Sequence, residues 1–185
     1  MDCKKALNET DGNMDEAVEY LRKKGQAKAE NKASRIAAEG LCKVLTDGDQ
    51  VAAVVEVNSE TDFVAKNEQF QNYVTAVAKQ ALATNAADID AFLAEAWNEE
   101  PSKTVKDALV EKIAVIGENL TIRRFEKVVS ENGIVVSYIH AGGKIGVLVE
   151  AETQSNSDAV KDALKNVAMQ IAALNPKYVS TDDVP

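Results

Sequence analysis

A chain of 185 residues, 45% hydrophobic and 28% charged, is long enough to bury a core and too apolar to be disordered. Its net charge of −9 argues against general nucleic-acid binding, which needs a basic face against the phosphates. Two cysteines, Cys3 and Cys42, are too few for a disulfide framework or a zinc site and read as reduced thiols in a cytoplasmic protein; no apolar run is long enough to span a membrane.

In chain order, MDCKKAL and NMDEAVEYLRKKG read as two helices separated by NETDG. Asn13 stands as an N-cap with Glu16 three residues on, Leu7, Ala17, Val18 and Leu21 offer a small apolar face, and Gly25 suits a C-cap. Two such helices make no core alone, so residues 1 to about 24 are expected to be loosely attached or to pack on another molecule. A polar, alanine-rich helix is expected from about Gln26 to Glu39. The stretch RKKGQAKAENKASR, residues 22–35, holds six basic residues and one acidic one, and reads as a solvated helix face.

GLCKVLT and VAAVVEV flank DGDQ as a hairpin. NSETDFVAKNEQF then places Phe63 behind a polar run, where a tight turn is expected, with the next helix beginning near Asn67. That helix carries one apolar stripe: Phe70, Tyr73, Val74, Val77, Ala81 and Leu82. DIDAFLAEAW reads as a short acidic helix ended by Pro101. SKTVKDALVEKIAVIG repeats the stripe and closes at Gly117. NLTIRRFEKVVS, GIVVSYIH and KIGVLVEAE read as antiparallel strands joined by ENG and AGG, and a last helix runs from about Asp158 to Leu174. GIVVSYIH and KIGVLVEAE are expected either to continue the first sheet through NLTIRRFEKVVS or to leave an edge open for pairing.

The chain echoes itself. IGVLVEAE followed by VKDALKNVAMQIAAL resembles AAVVEVNS followed by FQNYVTAVAKQAL, with the strands offset by 94 residues and the helices by 90. Both units read strand, strand, helix, and the first carries four extra residues in the stretch that holds Phe63. An insertion that one copy does without points to a task other than folding. A buried staple and an exposed aromatic anchor are both open readings of Phe63.

Enzyme chemistry finds little support. His140 is the only histidine, which excludes a His-pair metal site and leaves a single candidate base. HAGGKIG lacks the spacing of a phosphate loop and leads into a strand, so it reads as a hairpin turn. The acidic residues show no calcium-loop spacing. No catalytic residue, no metal and no cofactor is expected.

TDFVAKN (Thr61–Asn67), MDCKKAL, IGEN (Ile116–Asn119) before TIRR, and SYIH with GGKIGVLVEA together resemble the bacterial elongation factor Ts family across the whole chain. The resemblance implies a guanine-nucleotide exchange factor that binds the GTPase elongation factor Tu, GDP-bound or nucleotide-free, and has no catalytic residues. It implies an α+β fold: a helical N-terminal module remnant followed by two related antiparallel-sheet subdomains covered by helices. Its parts would be a partial module like ubiquitin-associated domains at 1–25, a helical linker at 26–39, and core subdomains at 40–130 and 131–185, the second incomplete. Relative to the family pattern the chain lacks a first helix and stops before a coiled coil and a final strand, so oligomers through incomplete ends stay open. Carried over by motif, Lys4 contacts the GTPase domain, and Thr61, Asp62, Phe63 and Val64 belong to the segment that intrudes near the magnesium site. Ile116 and Gly117 touch the same region, and His140 lies on the second subdomain's partner face. No direct contact with nucleic acid or membrane is implied. The alternative is a protein-interaction module whose N-terminal helices bind a helical or ubiquitin-like partner.

Overall fold

The alternation of helical and strand periods becomes, in the computed structural model, a chain of mixed helix and sheet described over residues 2–185. Its elements are α1 (Asp2–Glu9), α2 (Met14–Glu30), β1 (Glu39–Asp47), β2 (Val51–Ser59), α3 (Asp62–Ala65), α4 (Glu68–Ala83) and α5 (Ile89–Ala94). There follow β3 (Ala96–Trp97), β4 (Glu100–Thr104), α6 (Val105–Ile116), β5 (Thr121–Val129), β6 (Gly133–His140), β7 (Ile145–Glu152) and α7 (Asp158–Leu174). The strands form three sheets, of order β1-β2-β5, β3-β4 and β6-β7. Internal contacts divide the chain into two units. Residues 1–40, 58–73 and 87–122 form one, and 41–57, 74–86 and 123–185 the other.

In the first unit, Asn13 caps α2 as its position predicts, its side-chain oxygen accepting from the Asp15 and Glu16 amides. Gly25 does not end that helix. It is buried in mid-helix, where α6 approaches: a Cβ there would stand 3.8 Å from the Ala114 Cβ. The residues after it, Gln26 to Glu30, are good helix formers and carry α2 on to Asn31, so the separate helix expected up to Glu39 is absent. Thr104 and Asp107 form a capping box that starts α6, and Gly117 ends it in the left-handed region at φ 87°. The acidic helix α5 stops at Ala94 rather than at Pro101. Trp97 and Pro101 instead lie in the β3–β4 hairpin, which pairs antiparallel. Phe70, Phe92 and Val105 are fully buried in this unit.

Helix α1 packs on α2 with Ala6 wholly buried, while Val18, placed on that face by its spacing, is 62% exposed. The ammonium groups of Lys24 and Lys28 donate to the Asp2 carboxylate at 3.0 and 3.1 Å. These hydrogen bonds, Lys24 first, lower the Asp2 pKa from 3.8 to about 2. Because the folded-state value is the lower one, the link is intact above 3.8 and is lost as pH falls towards about 2. The side-chain carboxyl resonance of Asp2 should therefore titrate across that interval, and Asp2→Asn should abolish the step. A step of unchanged size in Asp2→Asn would assign it to another carboxylate.

In the second unit, Val55 and Val57 of β2 and Val74 and Val77 of α4 are buried, as the stripe on α4 predicts. Strands β6 and β7 pair antiparallel from Gly133↔Glu152 to His140↔Ile145, and α7 packs on both. They do not continue the first sheet: β5 pairs with β2, not with β6. Single hydrogen bonds link the hairpin to the β1–β2 region instead. Ser130 and Val135 amides donate to the Gln50 and Asp49 carbonyls at 2.8 and 2.7 Å, and the Cys42 amide donates to the Gly143 carbonyl at 2.6 Å. The strand, strand, helix order thus recurs as β1-β2-α4 and β6-β7-α7. Helix α3 stands between β2 and α4 and has no counterpart between β7 and α7.

Candidate functional site

The segment between β2 and α4 is a single helical turn, α3, and not the tight turn expected from its sequence. Thr61 is its N-cap: the backbone is extended at φ −125° and ψ 155°, and the hydroxyl accepts from the Val64 amide. Asp62 therefore is not the cap. It lies in the first turn and accepts a hydrogen bond from the Lys66 ammonium at 2.7 Å, which raises the lysine pKa. As an exposed i,i+4 pair this contributes little stability. Ala65 is buried and Val64 half-buried, and these two seat the turn. Phe63 is 81% exposed. A staple onto the following helix would bury the ring, so that reading fails.

The turn is clamped by a loop distant from it in the sequence. Glu118, one residue past the Gly117 cap of α6, accepts three hydrogen bonds from the start of α3. One carboxylate oxygen takes the Glu60 and Thr61 amides, each at 3.1 Å, and the other takes the Thr61 hydroxyl at 2.6 Å. Glu60 reciprocates, accepting the Asn119 amide at 2.6 Å and facing the Arg35 guanidinium at 3.6 Å. The residues after α2 buttress the same loop: Lys32 donates to the Gly117 carbonyl at 2.7 Å, and the Asn119 side chain donates to the Arg35 carbonyl at 2.8 Å. The basic stretch at 22–35 is thus more than a solvated face, since Lys32 and Arg35 hold the loop that follows α6.

Among the residues singled out from sequence, Thr61, Asp62, Phe63 and Val64 share α3 and its cap, and Glu118 joins Thr61 to the loop that carries Gly117. Ile116 is half-buried at the end of α6 and Gly117 is exposed. Lys4 is exposed on α1, in the same unit as α3. His140 belongs to the other unit, exposed at the end of β6, where its Nδ1 lies 2.9 Å from the Tyr138 hydroxyl. Glu60, Glu118 and Asn119 were missed by sequence reasoning. A carboxylate that meets its partner 57 residues away in the chain leaves no local periodicity to read.

Among the described residues, no group of three or more His, Cys, Asp or Glu side chains is placed to hold a metal ion. A cleft of about 410 Å³ is floored by Tyr73 and Trp97, whose ring centroids lie 6.1 Å apart. The Lys112 ammonium sits 5.6 Å above the Tyr73 ring, on the face that a ligand cation would take. Tyr73 is buried, which raises its phenol pKa, and its hydroxyl has no hydrogen-bond partner among the described residues. An unpaired buried hydroxyl opposes folding. Tyr73→Phe should leave the melting temperature unchanged or raise it, by up to about 1 kcal/mol of stability. A clear loss would show that the hydroxyl finds a partner other than the protein's own groups.

The chain also has relatives among known proteins. The family profile described as Elongation factor TS matches residues 60–185, two-thirds of the chain and the part that contains α3 and the Glu118 loop. Over its whole length the chain is 55% identical to Elongation factor Ts of Clostridioides difficile (strain 630), covering 60% of that protein. It is 49% identical to the protein of the same name from Halothermothrix orenii and 50% identical to that from Trichlorobacter lovleyi, covering all of this chain and 61% of each relative. The chain thus spans about 60% of the length of the curated relatives it matches.

Proposed function

This chain belongs to the elongation factor Ts family, and we propose that it acts in translation as the guanine-nucleotide exchange factor of elongation factor Tu. The observation that carries this reading is Phe63: an aromatic ring 81% exposed on a short, capped and clamped turn that folding alone does not call for. A GTPase holds its nucleotide partly through magnesium bridging the phosphates. A partner that binds better when that site is splayed must weaken nucleotide binding by the same factor, because linkage is reciprocal. The work needs a rigid platform and a wedge but no catalytic group, no metal and no cofactor of its own.

In this reading Phe63 is the wedge, with Asp62 beside it and Val64 seating the turn; Ile116 and Gly117 border it. Lys4 adds a contact from the N-terminal helices, and His140 marks a partner face in the second half. The module at 1–25, the linker at 26–39 and the related halves at 40–130 and 131–185 are the proposed domain plan. The test is release of a fluorescent GDP analogue from elongation factor Tu, with and without the chain. Acceleration in proportion to added chain supports the reading, and an unchanged release rate at saturating chain ends it. The exposed Met14 and Val18 on α2 favour a second reading, in which the N-terminal helices bind another protein. Capture of elongation factor Tu without any acceleration of release would favour that one.

A further inference from the structure

We propose that Glu118 is a positioning residue: it holds Thr61, and through Thr61 the turn that presents Phe63, in the geometry the partner meets. This rests on the reading of Phe63 as the wedge, but its structural half stands on observations in this chain alone.

A helix of four residues has no stability of its own, since nucleation outweighs the few hydrogen bonds it can close. Something else must hold α3. Its internal bonds are the Ala65, Lys66 and Asn67 amides to the Thr61, Asp62 and Val64 carbonyls, at 3.3, 3.1 and 2.9 Å. Its N-terminus would otherwise leave amides unpaired. Glu118 takes the two amides just before the helix and, with its other oxygen, the hydroxyl that caps it. The cap bond itself is long, 3.4 Å from the Val64 amide to the Thr61 Oγ1, so the hydroxyl's shorter bond to Glu118 sets where Thr61 sits. Hydrogen bonds to a carboxylate are stronger than neutral ones, which suits a clamp.

The clamp is itself held. Glu118 follows the left-handed Gly117, and the loop is fixed on both sides by Lys32 on the Gly117 carbonyl and by Asn119 on the Glu60 carboxylate and the Arg35 carbonyl. Glu60 and Glu118 thus exchange backbone amides across two loops 57 to 59 residues apart. A ring 81% exposed gains little from packing, so its placement follows largely from the backbone that bears it. That makes the clamp, together with Ser59 donating to the Thr61 carbonyl and Gln71 to the Ala65 carbonyl, a main determinant of where Phe63 is held.

The alternative role for Glu118 is a negative charge read directly by the partner. Substitution with glutamine separates the two. In Glu118→Gln the amide oxygen still accepts the Glu60 and Thr61 amides, and the NH2 group can donate to the Thr61 hydroxyl, so geometry survives while charge goes. Glu118→Ala loses both.

Backbone nitrogen relaxation on the full chain, without partner, is the first readout. Phe63 to Lys66 should show order parameters of about 0.85 in the wild type and below about 0.6 in Glu118→Ala, with α4 unchanged and Glu118→Gln restored. GDP release from elongation factor Tu is the second. Glu118→Ala should slow it towards the rate of Phe63→Ala, roughly tenfold, and the double variant should be no slower than Phe63→Ala alone. A rigid α3 in Glu118→Ala overturns the proposal, as does Glu118→Gln behaving like Glu118→Ala. If Glu118→Ala does not fold, Thr61→Val, which removes the hydroxyl and with it both the bond to Glu118 and the cap bond from the Val64 amide, must loosen the same four amides, and unchanged order parameters there overturn the proposal equally. Should the wild-type chain fail to release GDP, the exchange reading falls, while the relaxation data still decide whether Glu118 positions Phe63.

Discussion

Phe63→Ala is expected to slow chain-promoted GDP release from elongation factor Tu by about tenfold while leaving the chain's own melting temperature nearly unchanged. The two halves of that result have different causes. Aromatic anchors at the centre of an interface commonly contribute about 2 kcal/mol or more when truncated, and roughly 1.4 kcal/mol of lost differential binding is a factor of ten in rate. The stability half follows from exposure: a ring 81% open to water buries little area whose loss would register. Thr61 still caps α3 and Ala65 still anchors it in the variant, so the turn survives. Release and melting have to be measured on the same preparation. A melting temperature that falls by many degrees, with normal release per folded molecule, would show that Phe63 supports the fold and not the partner contact.

The sequence made some of this arrangement legible and hid the rest, for physical reasons. The repeated strand, strand, helix order and the four-residue surplus were visible because both are periodic or additive along the chain, and the surplus is where α3 stands. Exposure of Phe63 was one of two open readings, since no rule of spacing tells a staple from an anchor on a turn so short. Local sequence does not settle the identity of the cap. Asp62 and Thr61 are both good N-cap residues, and the choice fell to Thr61 because Glu118 holds its hydroxyl, a contact from a distant loop. Gly25 was misread for the same reason. A glycine near a helix end suggests a C-cap, but here α6 packs against it and α2 continues. The β3–β4 hairpin escaped because two strands of two and five residues carry too little alternation to distinguish from a loop. In each case the deciding partner was remote in sequence, and local pattern is blind to remote partners.

Phe70→Ala is the converse experiment and carries the larger effect on stability. Only seven positions separate it from Phe63, yet Phe70 is fully buried where Phe63 is open. It opens the apolar stripe of α4, one helical turn before Tyr73 and Val74, which are also buried. Truncation there removes the transfer free energy of a buried ring and leaves a cavity that the helix cannot fully close, a loss of about 3–5 kcal/mol. For a chain of 185 residues that corresponds to a fall in melting temperature on the order of 10 °C. Promoted GDP release should fall only as far as the folded fraction does, because Phe70 reaches no partner surface. Denaturant melts read stability, and release assays normalised to the folded fraction read function. If Phe70→Ala slowed release tenfold while still fully folded, the platform under α3 would be part of the wedge, and the division of labour between the two aromatics would be wrong.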